Sequence, residues 1–272
     1  MNPFILAFAI LRRHRLITLL FVAIVALSVA LGVGVLNQEK VLRQGSTTAA
    51  DKFDLIVGAP GSHADLLLSA VYLQPKAIEL IDGKLLTEIA ANPEVAFVAP
   101  LAFGDNHEGQ PVVGSTPEFV TYLSDGQLQG RVFERIAEAV VGVDVELALG
   151  DRFFPSHGHG EISEEAAEAA DHNSLEIEIV GRLPRTGTPW DSAIISTVES
   201  VWAIHNLPIG HDPNGPRAEA VGPPYDGAFL PGIPAAIVKP TSFGAAYSLR
   251  SEYRTAATTA FSRRRCCCNS MA

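Results

Sequence analysis

The stretch Leu16–Leu36, LITLLFVAIVALSVALGVGVL, contains 21 residues and no charged side chain. A helix rises about 1.5 Å per residue, so this run extends roughly 30 Å, which matches the hydrocarbon core of a bilayer. A lone segment in lipid must satisfy its own backbone hydrogen bonds, and an uninterrupted helix does so. The stretch therefore predicts one transmembrane helix, residues 16–36, in contact with the lipid bilayer.

The charges on either side of this run predict its orientation. Three arginines and a histidine precede it, whereas the first two charges after it cancel: Arg12, Arg13, His14, Arg15, Glu39 and Lys40. Cytoplasmic flanks carry an excess of Lys and Arg. We therefore expect residues 1–15 to form a basic amphipathic lead-in in the cytoplasm of a bacterium. We expect the chain after the single span of the inner membrane to lie in the periplasm.

A cleaved signal peptide is the alternative interpretation of the same residues. Its apolar region usually has about 7 to 15 residues and is followed by a small-x-small cleavage site. The run here is longer, and no good site of that kind follows it closely. The pattern thus favours a retained anchor.

The composition of the remaining chain predicts one exported domain, residues 37–255. The whole chain has 20 Lys and Arg against 30 Asp and Glu, and three of the arginines precede the apolar run. The remainder therefore carries a net charge of about −13 with histidine neutral. Such a charge disfavours nucleic acid or anionic lipid as a partner of this domain.

The end of the chain, residues 256–272, differs from the rest because it is rich in Arg and Cys. Its three cysteines, Cys266, Cys267 and Cys268, are adjacent and are the only ones in the chain. Adjacent cysteines do not cross-link a fold, so we expect a domain without disulfides. A frameshifted or interrupted end and a short disordered basic tail are the two interpretations of this segment.

The order of predicted elements after the span indicates a mixed α+β domain. Thr116 and Pro117 predict a helix start, and the alternating Leu175–Val180 predicts a half-buried strand. Five further predictions cover a strand from Phe53 to Gly58, a strand with a helix-like continuation over Glu138–Leu149, a long surface loop over Asn206–Pro224, a last strand over Ile233–Lys239 and a last helix over Ser242–Tyr253. Trp190 and Trp202 are expected to be packing residues near domain edges.

One group of residues has the chemistry of a metal site. His157 and His159 are two residues apart, and Asp171 and His172 follow an acidic patch. Three imidazoles and a carboxylate form a ligand set that suits Zn²⁺. A solvated His- and Glu-rich loop is the competing interpretation, because glycines flank the pair and composition alone indicates metal only weakly. The histidines at positions 63, 107, 205 and 211 are scattered and are expected to act singly.

The sequence contains no motif that indicates catalysis. A nucleophile requires a base held by a third group, and no G-x-S-x-G nucleophile elbow is present. The paired carboxylates of the acidic patch fit a solvated helix face. We therefore expect no enzymatic activity and no cofactor other than zinc.

In its layout the chain resembles the FtsX/MacB-type permeases of ABC transporters. The matching features are the basic lead-in, the first span, the Phe53–Gly58 phrase FDLIVG, the large α+β domain and the Gly181–Ser196 stretch GRLPRTGTPWDSAIIS. The resemblance implies a subunit that works as a homodimer with a cytoplasmic ATPase, which couples ATP hydrolysis to movement of the exported domain. Such permeases carry three further spans after this domain, so the resemblance also implies a truncated or frameshifted permease here.

Two functional hypotheses follow. The first is a permease-type transport subunit, incomplete in this form, whose exported domain handles a substrate or transmits force. The second is a single-span anchored periplasmic binding or adaptor protein, with the His-rich loop as a weak metal site.

Overall fold

The computed structural model describes residues 3–61, 63–74, 76–157 and 175–262. The chain divides into two compact units, the first ending at Thr47 and the second beginning at Thr48. The first unit consists of helix α1, Pro3–Arg13, and most of helix α2, Arg15–Ala49. Around His14 the helical pattern continues, because His14 N donates to Ile10 O and Thr18 N donates to His14 O, both at 3.0 Å.

Helix α2 contains a segment that is long and apolar enough to cross a membrane, Arg15–Val41. It is the one such segment among the residues that the structure describes. Its large apolar side chains are exposed along its length, as Leu20, Leu27 and Leu31 illustrate. An apolar surface of this extent is stable in lipid and costly in water. The helix predicted over residues 16–36 is thus present and extends beyond both predicted ends.

The second unit is built on a mixed sheet with helices, which confirms the predicted α+β class. Its described strands run in the order β11-β1-β10-β2-β3-β9-β5-β8-β4, with β6 on β8 and β7 on β2. Pairs β3–β9 and β5–β8 are parallel, and the other pairs are antiparallel. The strands are β1 Leu55–Gly58, β2 Val95–His107, β3 Gln110–Ser115, β4 Gln129–Gly130, β5 Glu138–Val141, β6 Arg152–Phe153, β7 Ser156–His157, β8 Ile177–Arg182, β9 Ile194–Thr197, β10 Ala235–Pro240 and β11 Thr259–Phe261.

The central strands are buried on both faces, so hydrophobic core residues lie on both sides of the sheet. In β1, Leu55 and Val57 belong to one core, whereas Ile56 between them belongs to the other. Strand β10 alternates in the same way, with Ala236 on the first side and Ile237 on the second. Successive side chains in a strand point to opposite faces, so an uninterrupted apolar run fills both cores.

Short helices cover the sheet, and several of them begin where the capping residues predict. They are α3 His63–Ala70, α4 Lys84–Ala91, α5 Pro117–Leu123, α6 Val198–Ile204, α7 Phe243–Glu252 and a 3₁₀ helix Pro189–Ser192. The Thr116 hydroxyl accepts from Phe119 N at 3.4 Å, and the Ser242 hydroxyl accepts from Ala245 N at 3.1 Å. Each cap satisfies one amide that the first helical turn leaves without a partner.

Two details of the predicted domain are wrong. The chain after β5 forms turns and not a helix, because the Arg182 guanidinium binds the carbonyl oxygens of Gly142, Val143, Val145 and Leu147. The predicted loop over 206–224 is present and mostly exposed, although His211 within it is buried. The sheet also continues past residue 255, because β11 pairs with β1, so β10 is not the last strand.

Candidate functional site

The junction segment, residues 48–54, is the start of the second unit and follows the apolar part of α2 in the chain. Asp51 N donates to Thr48 O and Phe53 N donates to Ala50 O, both at 3.1 Å, so the chain turns immediately after the helix. Ala49 and Phe53 are buried, and the Phe53 side chain is only 2% exposed. The first residues of this unit are therefore part of its hydrophobic core.

Two aromatic rings hold Phe53 in place. Its centroid lies 6.1 Å from that of Phe119 and 6.0 Å from that of Trp190, and the latter two rings are 5.2 Å apart. Edge-to-face pairs at such distances contribute about 0.5–1.5 kcal/mol each beyond the burial of their area. Phe119 lies in α5 and Trp190 in the 3₁₀ helix, so the cluster joins the junction segment to two distant parts of the chain.

A charged network fixes the next residue, Asp54. Lys239 Nζ of β10 donates to Asp54 Oδ2 at 2.5 Å and to the Tyr122 hydroxyl at 3.0 Å, and that hydroxyl donates to Asp54 Oδ2 at 3.2 Å. Burial lowers the pKa of Lys239, but the bonds to Asp54 and Tyr122 outweigh it and the net pKa is raised. Burial also raises the pKa of Tyr122. At neutral pH the network therefore contains an ammonium, a carboxylate and a neutral phenol.

A second ion pair lies beside the first. Lys52 contacts the carboxylate of Asp125, and its ammonium lies 4.9 Å from the centroid of the Tyr122 ring. Lys239 Nζ lies 4.7 Å from the same centroid. Two cations thus contact one aromatic ring, an arrangement worth about 0.5–1 kcal/mol for each at partly exposed positions.

Trp190 is positioned by a turn that the buried Asp191 organises. Its Oδ1 accepts from Thr186 N at 2.8 Å and from the Thr186 hydroxyl at 2.6 Å, and its Oδ2 accepts from Gly187 N at 2.8 Å. This turn lies within the stretch Gly181–Ser196 that carries part of the sequence resemblance. A cleft of about 330 Å³ separates the turn from the junction segment, with Ala49, Lys52, Asp125 and Arg185 among its lining residues.

The predicted metal site lies mostly outside the described residues. His159, Asp171 and His172 are all in that part of the chain. The backbone of His157 is described, in β7, and it lies opposite Asp105 of β2. Within the described ranges no group of three His, Cys, Asp or Glu residues is arranged to hold a metal ion.

The four scattered histidines have separate surroundings. His63 Nε2 lies 2.8 Å from the Thr259 hydroxyl, and His107 packs on Phe153. His205 Nε2 lies 3.3 Å from Asp105 Oδ1, and this hydrogen-bonding contact raises the pKa of His205. His211 is buried.

Sequence reasoning found part of the junction. It singled out Phe53–Gly58 as a strand and Trp190 as a packing residue, although the strand begins at Leu55 and Trp190 lies in the core and not at an edge. It missed Phe119, Tyr122 and Lys239 altogether. An apolar or charged residue in a strand or helix carries no local signal for a partner more than 60 residues away.

Comparisons with known proteins gave structural similarity only. No family model and no curated protein matches the sequence. The fold is similar to the periplasmic region of MacB from Actinobacillus actinomycetemcomitans, with 10% identity, a TM-score of 0.46 and coverage of 81% of this chain and 94% of that chain. It is also similar to the extracellular domain of the noncanonic ABC-type transporter YknZ from Gram-positive bacteria, with 12% identity, a TM-score of 0.40 and coverage of 76% and 98%. Neither similarity identifies a substrate or a partner for this chain.

Proposed function

We propose that this chain is a permease-type subunit of an ABC transporter. In this proposal α2 anchors it in the bacterial inner membrane, the second unit lies in the periplasm and a separate cytoplasmic ATPase supplies energy to a homodimer. The support comes from the apolar segment Arg15–Val41, the basic residues before it and the resemblance of the sequence to FtsX/MacB-type permeases. The role of the periplasmic domain is to transmit movement to a substrate or partner.

The junction segment is the observation that carries this proposal. A force applied to the chain at Thr48 meets a core residue, Phe53, and a charge network at Asp54 within six residues. Packed cores deform little, so such an attachment passes movement on and does not absorb it. A flexible linker at the same position would isolate the domain from the helix.

The orientation is tested with two fusions at the C-terminus of the full chain. Alkaline phosphatase is active only outside the cytoplasm. Green fluorescent protein is fluorescent in the cytoplasm but not after export by the general secretory route. We expect an active phosphatase and a dark fluorescent protein. Replacing Arg12, Arg13 and Arg15 with glutamate removes the positive flank and should lower the phosphatase signal. A fluorescent fusion of the unmodified chain would contradict the proposed topology.

The ATPase partner is tested on the full chain in its native membrane. After cross-linking in the membrane and purification, we expect a complex that hydrolyses ATP. Hydrogen exchange of residues 48–58 should then differ between ATP and a non-hydrolysable analogue. A complex without ATP hydrolysis contradicts the partner, and active hydrolysis without a change in exchange contradicts the coupling through the junction.

As a second candidate we propose an anchored periplasmic binding protein with a zinc site. The observation that favours it is the position of His157, opposite Asp105 in the sheet, where Asp105 is already in contact with His205. The ligands of this proposal are His157, His159, His172 and Asp171, which are the four groups that a tetrahedral Zn²⁺ requires.

Calorimetry with Zn²⁺ on the full chain in detergent tests the zinc site. The triple variant His157→Ala, His159→Ala and His172→Ala should lose the binding, and His63→Ala should retain it. Equal affinity of the unmodified chain and the triple variant would exclude the site.

A further inference from the structure

The long loop, residues 206–232, lacks helices and strands, yet its backbone is well connected. Leu207 N donates to Trp202 O at 2.8 Å, which fixes the start of the loop to α6. Gly210 N donates to Phe229 O at 3.0 Å and Asp226 N donates to Gly210 O at 2.8 Å, so the loop also closes on itself. Irregular segments of this length in a compact domain usually have a function.

The middle of the loop is attached to α6 by a buried carboxylate. Glu199 lies in the first turn of α6 and is fully buried, and its Oε1 accepts from Gly222 N at 2.7 Å. Its Oε2 has no hydrogen-bond partner among the described residues. A buried carboxylate with so few donors is far more stable neutral than ionised.

Two polar side chains of the loop lie against this carboxylate. His211 Nε2 is 4.0 Å from Glu199 Oε1, and the His211 ring packs on the Tyr225 ring with centroids 5.4 Å apart. The Tyr225 ring in turn contacts Trp202 of α6 at 5.9 Å. His211 Nε2 has no hydrogen-bond partner in the described part of the chain, and the Tyr225 hydroxyl interacts with the Glu199 carboxyl group. Three ionisable groups are thus buried together, and no cation is paired with the Glu199 carboxyl group among them.

The neighbouring charges act in the same direction as burial. Burial is the main reason that the pKa of Glu199 is raised to about 7; Glu118 of α5 also raises this pKa, whereas the Gly222 amide and the Tyr225 hydroxyl lower it. Burial lowers the pKa of His211, and the guanidinium of Arg217 in the loop adds to this effect. Burial likewise raises the pKa of Tyr225. At neutral pH His211 and Tyr225 are therefore uncharged, and Glu199 is increasingly protonated as pH falls below about 7.

We propose that Glu199, His211 and Tyr225 form a proton-dependent latch that holds the long loop on α6 while all three side chains are uncharged and releases it when Glu199 loses its proton. Release separates Gly222 from Glu199 and exposes the Trp202 and Tyr225 rings. The second unit thus has a surface that is covered at slightly acidic pH and uncovered at alkaline pH.

The direction follows from linkage between folding and protonation. The pKa of Glu199 is higher in the closed state than in an open, solvated one, so its contribution is fully present below about pH 4.5 and is lost as pH rises through about 7. The pKa of His211 is lower in the closed state than its ordinary 6.5, so its contribution is present above that value and is lost on acidification. Below pH 6.5 the two contributions oppose each other, so the net loosening of the latch takes place as pH rises from about 6.5 to 7.

Hydrogen exchange of the full chain in lipid nanodiscs between pH 6 and 9 tests the latch. The peptide around Gly222 is compared with a peptide of β9 in the core, and both rates are corrected for the intrinsic effect of pH. The closed and open states differ by one proton on Glu199 only below about pH 7, and His211 acts in the opposite direction below its ordinary pKa of 6.5. Protection of the loop peptide relative to the core should therefore fall as pH rises from 6.5 to 7, by up to about tenfold per pH unit, and stay constant above pH 7. A loop peptide whose relative protection is independent of pH would overturn the proposal.

Variants identify the group that titrates. Glu199→Gln keeps an acceptor for Gly222 N but does not ionise, so the pH dependence should disappear. Glu118→Gln removes an exposed carboxylate that raises the pKa of Glu199, so it should keep the pH dependence and move the transition to lower pH. Tyr225→Phe removes the hydroxyl that lowers the pKa of Glu199 and should move the transition to higher pH. If Glu199→Gln keeps the slope, or if Tyr225→Phe leaves the transition where it was, Glu199 is not the latch.

Discussion

The junction segment and the long loop are both held on the domain by side chains more than by strand pairing, but the chemistry differs. Phe53 of the junction packs between two rings, and Asp54 is paired with Lys239. The loop depends on Glu199, which has a single donor from the loop. The stabilisation from apolar packing and paired charges changes little around neutral pH, whereas the stabilisation from a buried ionisable group without a counterion depends on pH. The attachment of the junction segment is therefore independent of pH near neutrality, and the attachment of the long loop depends on it.

Two buried carboxylates show the same contrast at atomic detail. Asp191 accepts three hydrogen bonds from Thr186 and Gly187, so the protein itself solvates its charge. Glu199 is equally buried, but one of its two oxygens has no partner among the described residues. The number of donors, and not burial alone, decides how strongly a buried carboxyl group favours its neutral form.

The largest expected effect comes from removing the ring of the junction. Phe53→Ala leaves a cavity between Phe119 and Trp190 and should lower the free energy of unfolding by about 3–5 kcal/mol. Denaturant unfolding of the full chain in detergent, followed by tryptophan fluorescence, measures it. The matched control is Phe243→Ala, whose side chain is 54% exposed and should change stability by no more than about 0.5 kcal/mol. Equal losses would mean that the junction is not part of the core.

The second-largest expected effect is a difference in stability between variants of the two buried carboxyl groups, Asp191 and Glu199. Asp191→Asn places an NH₂ group against backbone donors of the turn and should lower the free energy of unfolding by about 2–3 kcal/mol. Glu199→Gln at pH 8 should change it by less than about 1 kcal/mol, because it removes a charge that has little compensation. Unfolding of both variants under one condition gives the comparison. A larger loss for Glu199→Gln would reverse the assignment of the two sites.

Local sequence patterns correctly predicted the elements that depend on residues close together in the chain. The apolar run predicted the long apolar helix α2, and Thr116 with Pro117 predicted the start of α5. Alternation predicted β8, although the strand begins two residues later, at Ile177. Each of these features depends on residues within a few positions of one another, so a single sequence contains the whole signal.

The incorrect predictions concern segments whose conformation depends on residues distant in the chain. The stretch after Val141 has a helix-like composition, but Arg182, about 40 residues later, binds its carbonyl oxygens and holds it in turns. The loop predicted over 206–224 is present, but His211 within it is buried because Glu199 and Tyr225 fold against it. The partners of Phe53 and Asp54 at the junction are equally remote. Capping and periodicity contain no information on such pairings.

The ion pair of Glu138 with Arg131, outside the junction segment, tests at acidic pH how a paired carboxylate contributes to stability. Arg131 donates to Glu138 at 2.5 and 2.8 Å, and this bond is the main reason that the pKa of Glu138 is lowered to about 2. The contribution is present above pH 4.5 and is lost as pH falls through about 2. After allowance for solvent screening, Glu138→Gln should cost about 1–2 kcal/mol at pH 7 and progressively less towards pH 2. Unfolding at pH 7, 4 and 2.5 measures it, and a loss independent of pH would contradict the ion pair as its cause.

The smallest effect concerns the exposed ion pair of the junction, Lys52 with Asp125. The Asp125 side chain is 74% exposed, so water and salt screen the attraction, and a double-mutant cycle of Lys52→Met and Asp125→Asn should give a coupling of about 0.2–1 kcal/mol. In 1 M NaCl the coupling should approach zero, because the Debye length is then about 3 Å. Any stability that the Lys52→Met variant still loses in 1 M NaCl is due to the lost contact between the Lys52 ammonium and the Tyr122 ring. A coupling that salt leaves unchanged would mean that the pair is desolvated, and the junction would then resemble the Glu199 latch in depending on buried charge.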